Sequence, residues 1–347
     1  MEKYQNNKEL FIWCCELSLN SGEGKLALSY IQDLKKKLNK KITLRTPELF
    51  AKKFNINNFI KKVDKHKKQS NKFRYFTPFI GIFFCWFYFF KKKKCCYINY
   101  LPLWNPLLFL LLPPKTILGP ITGGASYQKE LNVNYILRNN VFKILYKISL
   151  LIIFFRNKKI IFSTSLLRKE ISSNQLSRCY FNYIYRLIKD YSSKPKTIDI
   201  LIYNRGHPNK IFQNKKIINF FIKNNFKIHV IGTPLNIKKI KNYGYVTNKY
   251  ANSLLSCSKF IINSQENFYT LFLIEALSNK VKILTDNNYK NFINKSNNKI
   301  FINLKSQNIK NIIFNNKTNN KNFRLLYSNL RQNSITDKEL RNYFIFS

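Results

Sequence analysis

Acid is scarce in this sequence: 16 Asp and Glu stand against 61 Lys and Arg in 347 residues, a formal net charge of +45. Glycine (9), histidine (3) and methionine (1) are scarce too. Seven cysteines occur, Cys14, Cys15, Cys85, Cys95, Cys96, Cys179 and Cys257, yet there is no Cys-x-x-Cys, and His66, His207 and His229 stand far from any cysteine pair. Zinc sites and disulfide frameworks both depend on close or paired spacing, so neither is expected, and a reducing compartment fits. Long apolar runs are also missing. The most apolar window, Phe76–Phe90 (FTPFIGIFFCWFYFF), has 15 residues, short of the roughly 20 that a membrane-spanning helix needs. Leu103–Pro114 is shorter and broken by prolines, and the N-terminal MEKYQNNKELFIWCCEL lacks the apolar core and small-residue cleavage site of a signal peptide.

What is present is a hydrophobic fraction of 45%, enough to fill two cores in a chain long enough for two domains. The excess charge would ordinarily point to nucleic acid or an anionic membrane. It is diffuse, however, and carried by lysine far more than by the eleven arginines. Lys, Asn, Ile, Phe and Tyr share A/T-rich codons, so genome bias accounts for much of the lysine. With no zinc-ligand spacing, RNA-recognition signature or arginine-rich stripe, a nucleic-acid partner is not expected. The aromatic window running into Lys91–Lys94 suits either a core helix with a solvated basic end or the headgroup region of an anionic leaflet.

Strand-like and helix-like segments alternate. Leu10–Leu17 is a continuous apolar run of the kind found in central parallel strands. Ser21-Gly22-Glu23-Gly24 then reads as a turn, and Leu26, Ala27, Tyr30, Ile31 and Leu34 mark one face of a helix. Further strands are expected at Lys41–Arg45, Cys95–Leu101, Thr116–Ile121 and Ile160–Ser163, with a helix over Val141–Phe155. Residues 191–196 read as a linker. A second alternating unit follows, with strands at Thr197–Tyr203, Lys227–Gly232, Lys259–Asn263 and Val281–Thr285. Its helices are expected at Lys215–Lys223, Tyr250–Ser256 and Tyr269–Leu277. The pattern predicts two α/β domains with parallel sheets, 1–190 and a second with a smaller sheet over 197–321, followed by a helical tail over 322–347. Open sheets of this kind bind ligands outside the carboxyl ends of their strands.

Two constellations lie at such ends. NRGHPNK after Thr197–Tyr203 carries Arg205 and Lys210, a planar fork and a point charge suited to a diphosphate; two more basic residues in a basic protein is the plainer reading. NSQENFYTLFLIEALSNKVKIL holds Glu266 at a strand end and Glu275 two turns into the next helix. The helix start offers unpaired backbone N–H groups to an anion, and a carboxylate such as Glu275 can accept two hydrogen bonds from a ribose diol. A dipole-favoured acid and an exposed helical acid are the alternatives.

Together these residues resemble the nucleotide-sugar half of a GT-B glycosyltransferase, specifically the retaining enzymes of glycosyltransferase family 4. That family carries an Arg…Lys pair and an E-x-F-G-x-x-x-x-E-A motif, and ENFYTLFLIEAL is similar to it. The likeness covers about residues 197–290. It departs where Glu266 and Glu275 are separated by eight residues rather than seven, where Tyr269 stands in place of glycine, and where Asn279-Lys280 replaces the glycine before the next strand. Either Glu266 or Asn267 therefore takes the first motif position. In the first domain, SLNSGEGKLA (Gly22, Gly24) and TILGPITGGASYQK (Gly119, Gly123, Gly124) resemble the family's glycine-bearing loops beside acceptor and donor phosphate.

The resemblance implies a GT-B architecture of two Rossmann-like domains facing a cleft, and transfer of a sugar from a nucleotide-sugar to a glycan acceptor, lipid-linked or part of a lipopolysaccharide, with retention. Glu266 or Asn267 would be catalytic, and Arg205, Lys210, Phe268, Tyr269, Thr270 and Glu275 would bind the donor. No Asp-x-Asp occurs among the six aspartates, so no metal or other cofactor is expected. An anionic membrane surface is the expected further partner, with a cytoplasmic location at most peripheral on the inner face of the plasma membrane. A GT-B-like protein without turnover and a basic nucleic-acid-binding protein are the alternatives.

Overall fold

Continuous apolar runs become the inner strands of two all-parallel sheets. The computed structural model describes residues 9–17, 21–38, 41–47, 77–99, 101–123, 140–190, 194–204, 215–262, 270–285, 300–304, 309, 311, 313 and 320–346. They fall into two units, one drawn from Met1–Gly124, Glu130–Tyr183 and Asn333–Ser347, the other from Ala125–Lys129 and Ile184–Gln332.

Unit 1 runs β1 (Glu9–Cys14), α1 (Gly22–Leu38), β2 (Lys41–Arg45), α2 (Thr77–Phe90), β3 (Lys94–Ile98), α3 (Pro106–Leu111), β4 (Ile117–Leu118), α4 (Phe142–Arg156), β5 (Ile160–Ile161) and β6 (Cys179–Tyr180). Strand order is β2-β1-β3-β4, all parallel, with Phe11 level with Thr43 on one side and Cys95 on the other. A single bridge, Ile121 to Phe162, leads on to the parallel β5–β6 pair. The strand read over Thr116–Ile121 is thus reduced to two residues and a bridge. From Leu10 to Cys14 every side chain of β1 is buried, because helices cover both faces of a parallel sheet. The face of α1 marked by Leu26, Ala27, Tyr30, Ile31 and Leu34 is the face it buries.

Helix α2 settles on β1 through a glycine. A Cβ at Gly81 would stand 2.2 Å from Trp13 Nε1, so only glycine lets the helix approach the indole so closely. The Phe11 and Tyr88 rings stack with centroids 4.0 Å apart beside this contact. The opposite face of α2, Phe79, Phe83, Phe87 and Phe90, is exposed. The aromatic window therefore forms core on one side and open apolar surface on the other. No helix among the described residues is long and apolar enough to cross a membrane.

Unit 2 runs β7 (Ile198–Asn204), α5 (Lys215–Lys223), β8 (Ile228–Gly232), β9 (Ile240–Asn242), α6 (Asn248–Ser256), β10 (Ser258–Ile262), α7 (Leu271–Ser278), β11 (Lys282–Thr285), β12 (Phe301–Asn303) and α8 (Asn320–Gln332). The strands order as β12-β11-β10-β7-β8-β9, again all parallel. Among the described residues this sheet has six strands, against four in the β2-β1-β3-β4 sheet and two more reached through the Ile121–Phe162 bridge, so it is not the smaller sheet expected. Two short strands, β9 and β12, carry too little apolar pattern to be read from sequence. The helical tail divides: α8 belongs to unit 2, where Tyr327 Oη donates to the Leu277 carbonyl. The last helix, α9 (Asp337–Phe346), belongs to unit 1 and packs on α1. Tyr343 Oη donates to the Leu118 carbonyl at 2.5 Å, the oxygen that also receives Tyr30 Oη at 3.0 Å.

Two predictions follow from these contacts. Gly81→Ala should cost about 1–3 kcal/mol through overpacking against Trp13, read as a lower urea midpoint with an unchanged slope. Lys196 Nζ donates to the carbonyls of Ser256 (3.0 Å) and Asn279 (3.2 Å), and burial lowers its pKa from 10.5 to about 8. Between those values the unfolded chain binds the proton that the folded chain has shed, so stability should rise as pH climbs from about 8 towards 10.5. Urea titrations across that window should record the rise, and Lys196→Met should remove it.

Candidate functional site

In the six-stranded sheet β7 lies between β8 and β10: the chain steps from β7 to β8 and β9 on one side, then crosses back to β10 on the other. That reversal is the topological switch point at which open α/β sheets leave a crevice beyond the carboxyl ends of their strands. β7 ends at Asn204 and β10 at Ile262, with Ile202 level with Ile262. The segments expected to carry Arg205 and Lys210, and Glu266, Asn267, Phe268 and Tyr269, leave from these two neighbouring ends. Those six residues lie outside the described residues, as does Gly124.

The described floor of the switch point is tightly built. Gly232 closes β8 at φ +92°, and a Cβ there would stand 2.2 Å from the Asn204 carbonyl oxygen. Asn204 is buried, its Nδ2 donates to the Thr233 carbonyl at 2.8 Å, and its own carbonyl accepts Thr233 N at 2.8 Å. Asn204 Oδ1, and Thr285 Oγ1 at the end of β11, are buried without a partner among the described residues. Polar atoms thus collect at this edge, where an apolar core would carry none.

Two predicted donor residues are described, and α7 carries both. Thr270 is the N-cap of α7, its hydroxyl oxygen accepting Leu273 N at 3.2 Å. This fixes the helix entry next to the segment that holds the other motif residues. Glu275 lies half-buried on the same helix, and Asn248 Nδ2 on α6 donates to its Oε1 at 3.1 Å. Asn252 Nδ2 donates to Asn248 Oδ1 at 3.2 Å, and Asn279 Nδ2 donates both to Asn252 Oδ1 at 3.2 Å and to the Glu275 carbonyl at 2.8 Å. Three amides thereby close a ring between α6 and α7 that begins and ends on Glu275. Sequence reading missed Asn248, Asn252 and Gly232. The lone glycine ending an apolar strand was a usable signal; the asparagines, in so asparagine-rich a chain, offered none.

The Asn279-Lys280 pair that departs from the family glycine also acquires a reason. Lys280 adopts φ +57°, and Val281 N returns to the Ala276 carbonyl at 2.9 Å. This left-handed helix ending usually takes glycine; here Lys280 Nζ meets Asp190 at 3.2 Å instead.

In unit 1 the glycines separate. Gly22 and Gly24 stand in the first turn of α1 rather than in a loop, because Ser21 already caps the helix: Ser21 Oγ accepts Gly24 N at 3.0 Å. Gly119 is buried after β4, its N–H donating to the Tyr97 carbonyl at 2.7 Å, and a Cβ there would stand 3.1 Å from Ile98 Cα. Its place is set by strand packing. Gly123 is open to its surroundings at φ +130°, a conformation that favours glycine.

Solved structures align along the whole chain. Anabaena Alr3699/HepE in complex with UDP and glucose aligns at TM-score 0.55 and 9% identity, covering 97% of this chain and 98% of that one. The same protein with UDP-glucose gives 0.53. The fold is GT-B. TarM matches this GT-B chain at TM-score 0.51 and 13% identity, over 100% of this chain and 97% of its own. No family model and no curated protein matches the GT-B chain by sequence.

The amide ring makes a direct prediction. Asn279→Ala removes two hydrogen bonds at a buried position and should cost unit 2 about 1–3 kcal/mol, read as a lower midpoint in the unfolding transition of that unit.

Proposed function

We propose that the chain is a glycosyltransferase that takes a sugar from a nucleotide-sugar donor and passes it to a glycan acceptor. The observation that carries this reading is Glu275, held by the Asn248 amide beside a Rossmann switch point in a GT-B fold. A carboxylate with one oxygen steadied from the protein side is oriented for a ribose diol at little further entropic cost. Support for a nucleotide-sugar comes also from HepE, which has the same fold and was solved with UDP-glucose and with UDP and glucose.

The finer reading follows the motif. Arg205 and Lys210, with the segment Phe268 to Thr270 at the helix start, neutralise the diphosphate, an electrostatic stabilisation of the leaving group that needs no metal. The bond between the anomeric carbon and the diphosphate oxygen breaks as the acceptor hydroxyl bonds to that carbon on the same face. The hydroxyl proton leaves with the diphosphate. Glu266 or Asn267 stands near the reacting sugar. The acceptor is a lipid-linked or lipopolysaccharide glycan, reached at an anionic membrane surface. Unit 1 serves the acceptor and unit 2, which takes in the linker 191–196 and residues 197–321, serves the donor.

Calorimetric titration with UDP, GDP and their sugar conjugates tests the donor half. One nucleotide should bind, and Glu275→Ala should weaken it about 10- to 100-fold, the loss of charge-assisted hydrogen bonds worth about 1.5–3 kcal/mol. Asn248→Ala, which removes one hydrogen bond to the carboxylate and leaves the carboxylate in place, should weaken binding by about threefold to tenfold. No binding of any of these ligands to the wild type would overturn the reading. Binding without transfer to any acceptor would favour a GT-B protein that has lost turnover, in keeping with the extra residue between Glu266 and Glu275.

A further inference from the structure

Seventeen large apolar side chains stand exposed among the described residues, and thirteen of them fall in 79–90, 104–111 and 141–155. All three stretches belong to unit 1, and scattered exposure would not concentrate them so. On α2 the exposed phenylalanines recur at helical spacing, opposite the buried line of Gly81, Cys85 and Tyr88. On α4, Ile144, Ile148, Leu151 and Phe155 do the same, opposite Leu150, Ile153 and Phe154. Leu107, Leu110 and Leu111 of α3 are exposed between them.

Contacts join the three stripes into one face. Phe90 lies against Trp86, ring centroids 5.5 Å apart, and Trp86 Nε1 donates to the Leu111 carbonyl at 2.7 Å. From the other side Arg156, next to Phe155, donates to the carbonyls of Phe109 (2.7 Å), Leu110 (2.5 Å) and Leu112. This guanidinium satisfies the C-terminal carbonyls of α3, a hydrogen-bonding need that would otherwise favour water at the middle of the face.

Within the three stretches the charge has one sign. No Asp or Glu occurs from Thr77 to Gly123 or from Asn140 to Lys169. Lys143 and Lys147 are exposed beside the apolar stripe of α4, and Lys91 and Lys92 are exposed at the end of α2, where Lys91 Nζ lies 4.1 Å from the Phe87 ring centroid. A second copy laid on this face would bring lysine to lysine without a carboxylate between them, so the complementary occupant is anionic and apolar together.

We infer that α2, α3 and α4 form an in-plane docking face for an anionic lipid leaflet, with the exposed Phe and Leu side chains entering the acyl boundary and the flanking lysines meeting the headgroup phosphates. This rests on the membrane-surface part of the function proposed above and is independent of its donor part.

Flotation with vesicles of phosphatidylcholine alone, and of phosphatidylcholine with phosphatidylglycerol, tests it. The wild type should float with the anionic vesicles and bind the neutral ones at least about tenfold more weakly. Leu151→Ser with Phe155→Ser should lose vesicle binding by about tenfold or more. Phe155 is 94% exposed and Leu151 65%, so the double variant should fold, with an unchanged circular-dichroism melt as the control. Lys143→Glu with Lys147→Glu should lose the anionic preference. Failure of the wild type to float, undiminished flotation of the apolar variant, or a wild-type dimer that this variant turns into a monomer would each overturn the proposal. Nucleotide titration of the same variants separates the two claims: a chain that floats but binds no nucleotide leaves the face standing and removes the donor reading.

Discussion

Every strand pairing described in this chain is parallel, and the rest of the architecture follows from that. A parallel neighbour can be reached only by a crossover, so helices must lie on the sheet faces and the strands between them must be apolar throughout. The polar chemistry is thereby driven to the strand ends. Asn204, Gly232 and Thr285 all stand at carboxyl ends, and the motif segments depart from there. The helix caps Ser21 and Thr270 open helices that follow the same ends in the two units.

Much of this was legible in the residues because long, strongly patterned elements state their own limits. β2 and α5 have the bounds that sequence periodicity assigns to Lys41–Arg45 and Lys215–Lys223. The reading failed where tertiary context supplies what pattern does not. β9 is the three residues IKN with no side chain fully buried, a strand only because β8 lies beside it. β12, FIN, is as short. α3 looked like a run broken by proline, but Pro106 stands in its first turn, where a missing N–H costs nothing. The omitted strands are why the second sheet reads as the smaller one from sequence.

The site divides the same way. The place of Glu275 on the helix after β10 could be read because its spacing from a strand and from Glu266 is local. Its amide ring could not, since Asn248 lies 27 residues away in sequence and no short-range pattern ties it to the carboxylate. Gly22 and Gly24 sit in the first turn of a helix, and Gly119 lies close to Ile98, where a Cβ would stand 3.1 Å from its Cα. Scarcity draws attention to a glycine without saying whether a ligand or a neighbouring strand requires it.

The return of α9 to unit 1 has a consequence for biosynthesis. Tyr343 and Phe344 pack against Tyr30 and the end of β4, elements translated more than two hundred residues earlier. The ribosome delivers these residues after all of Ile184–Gln332 has been made. Unit 2 therefore has its full set of elements while unit 1 still lacks the helix that completes its core, and the half begun first is finished last.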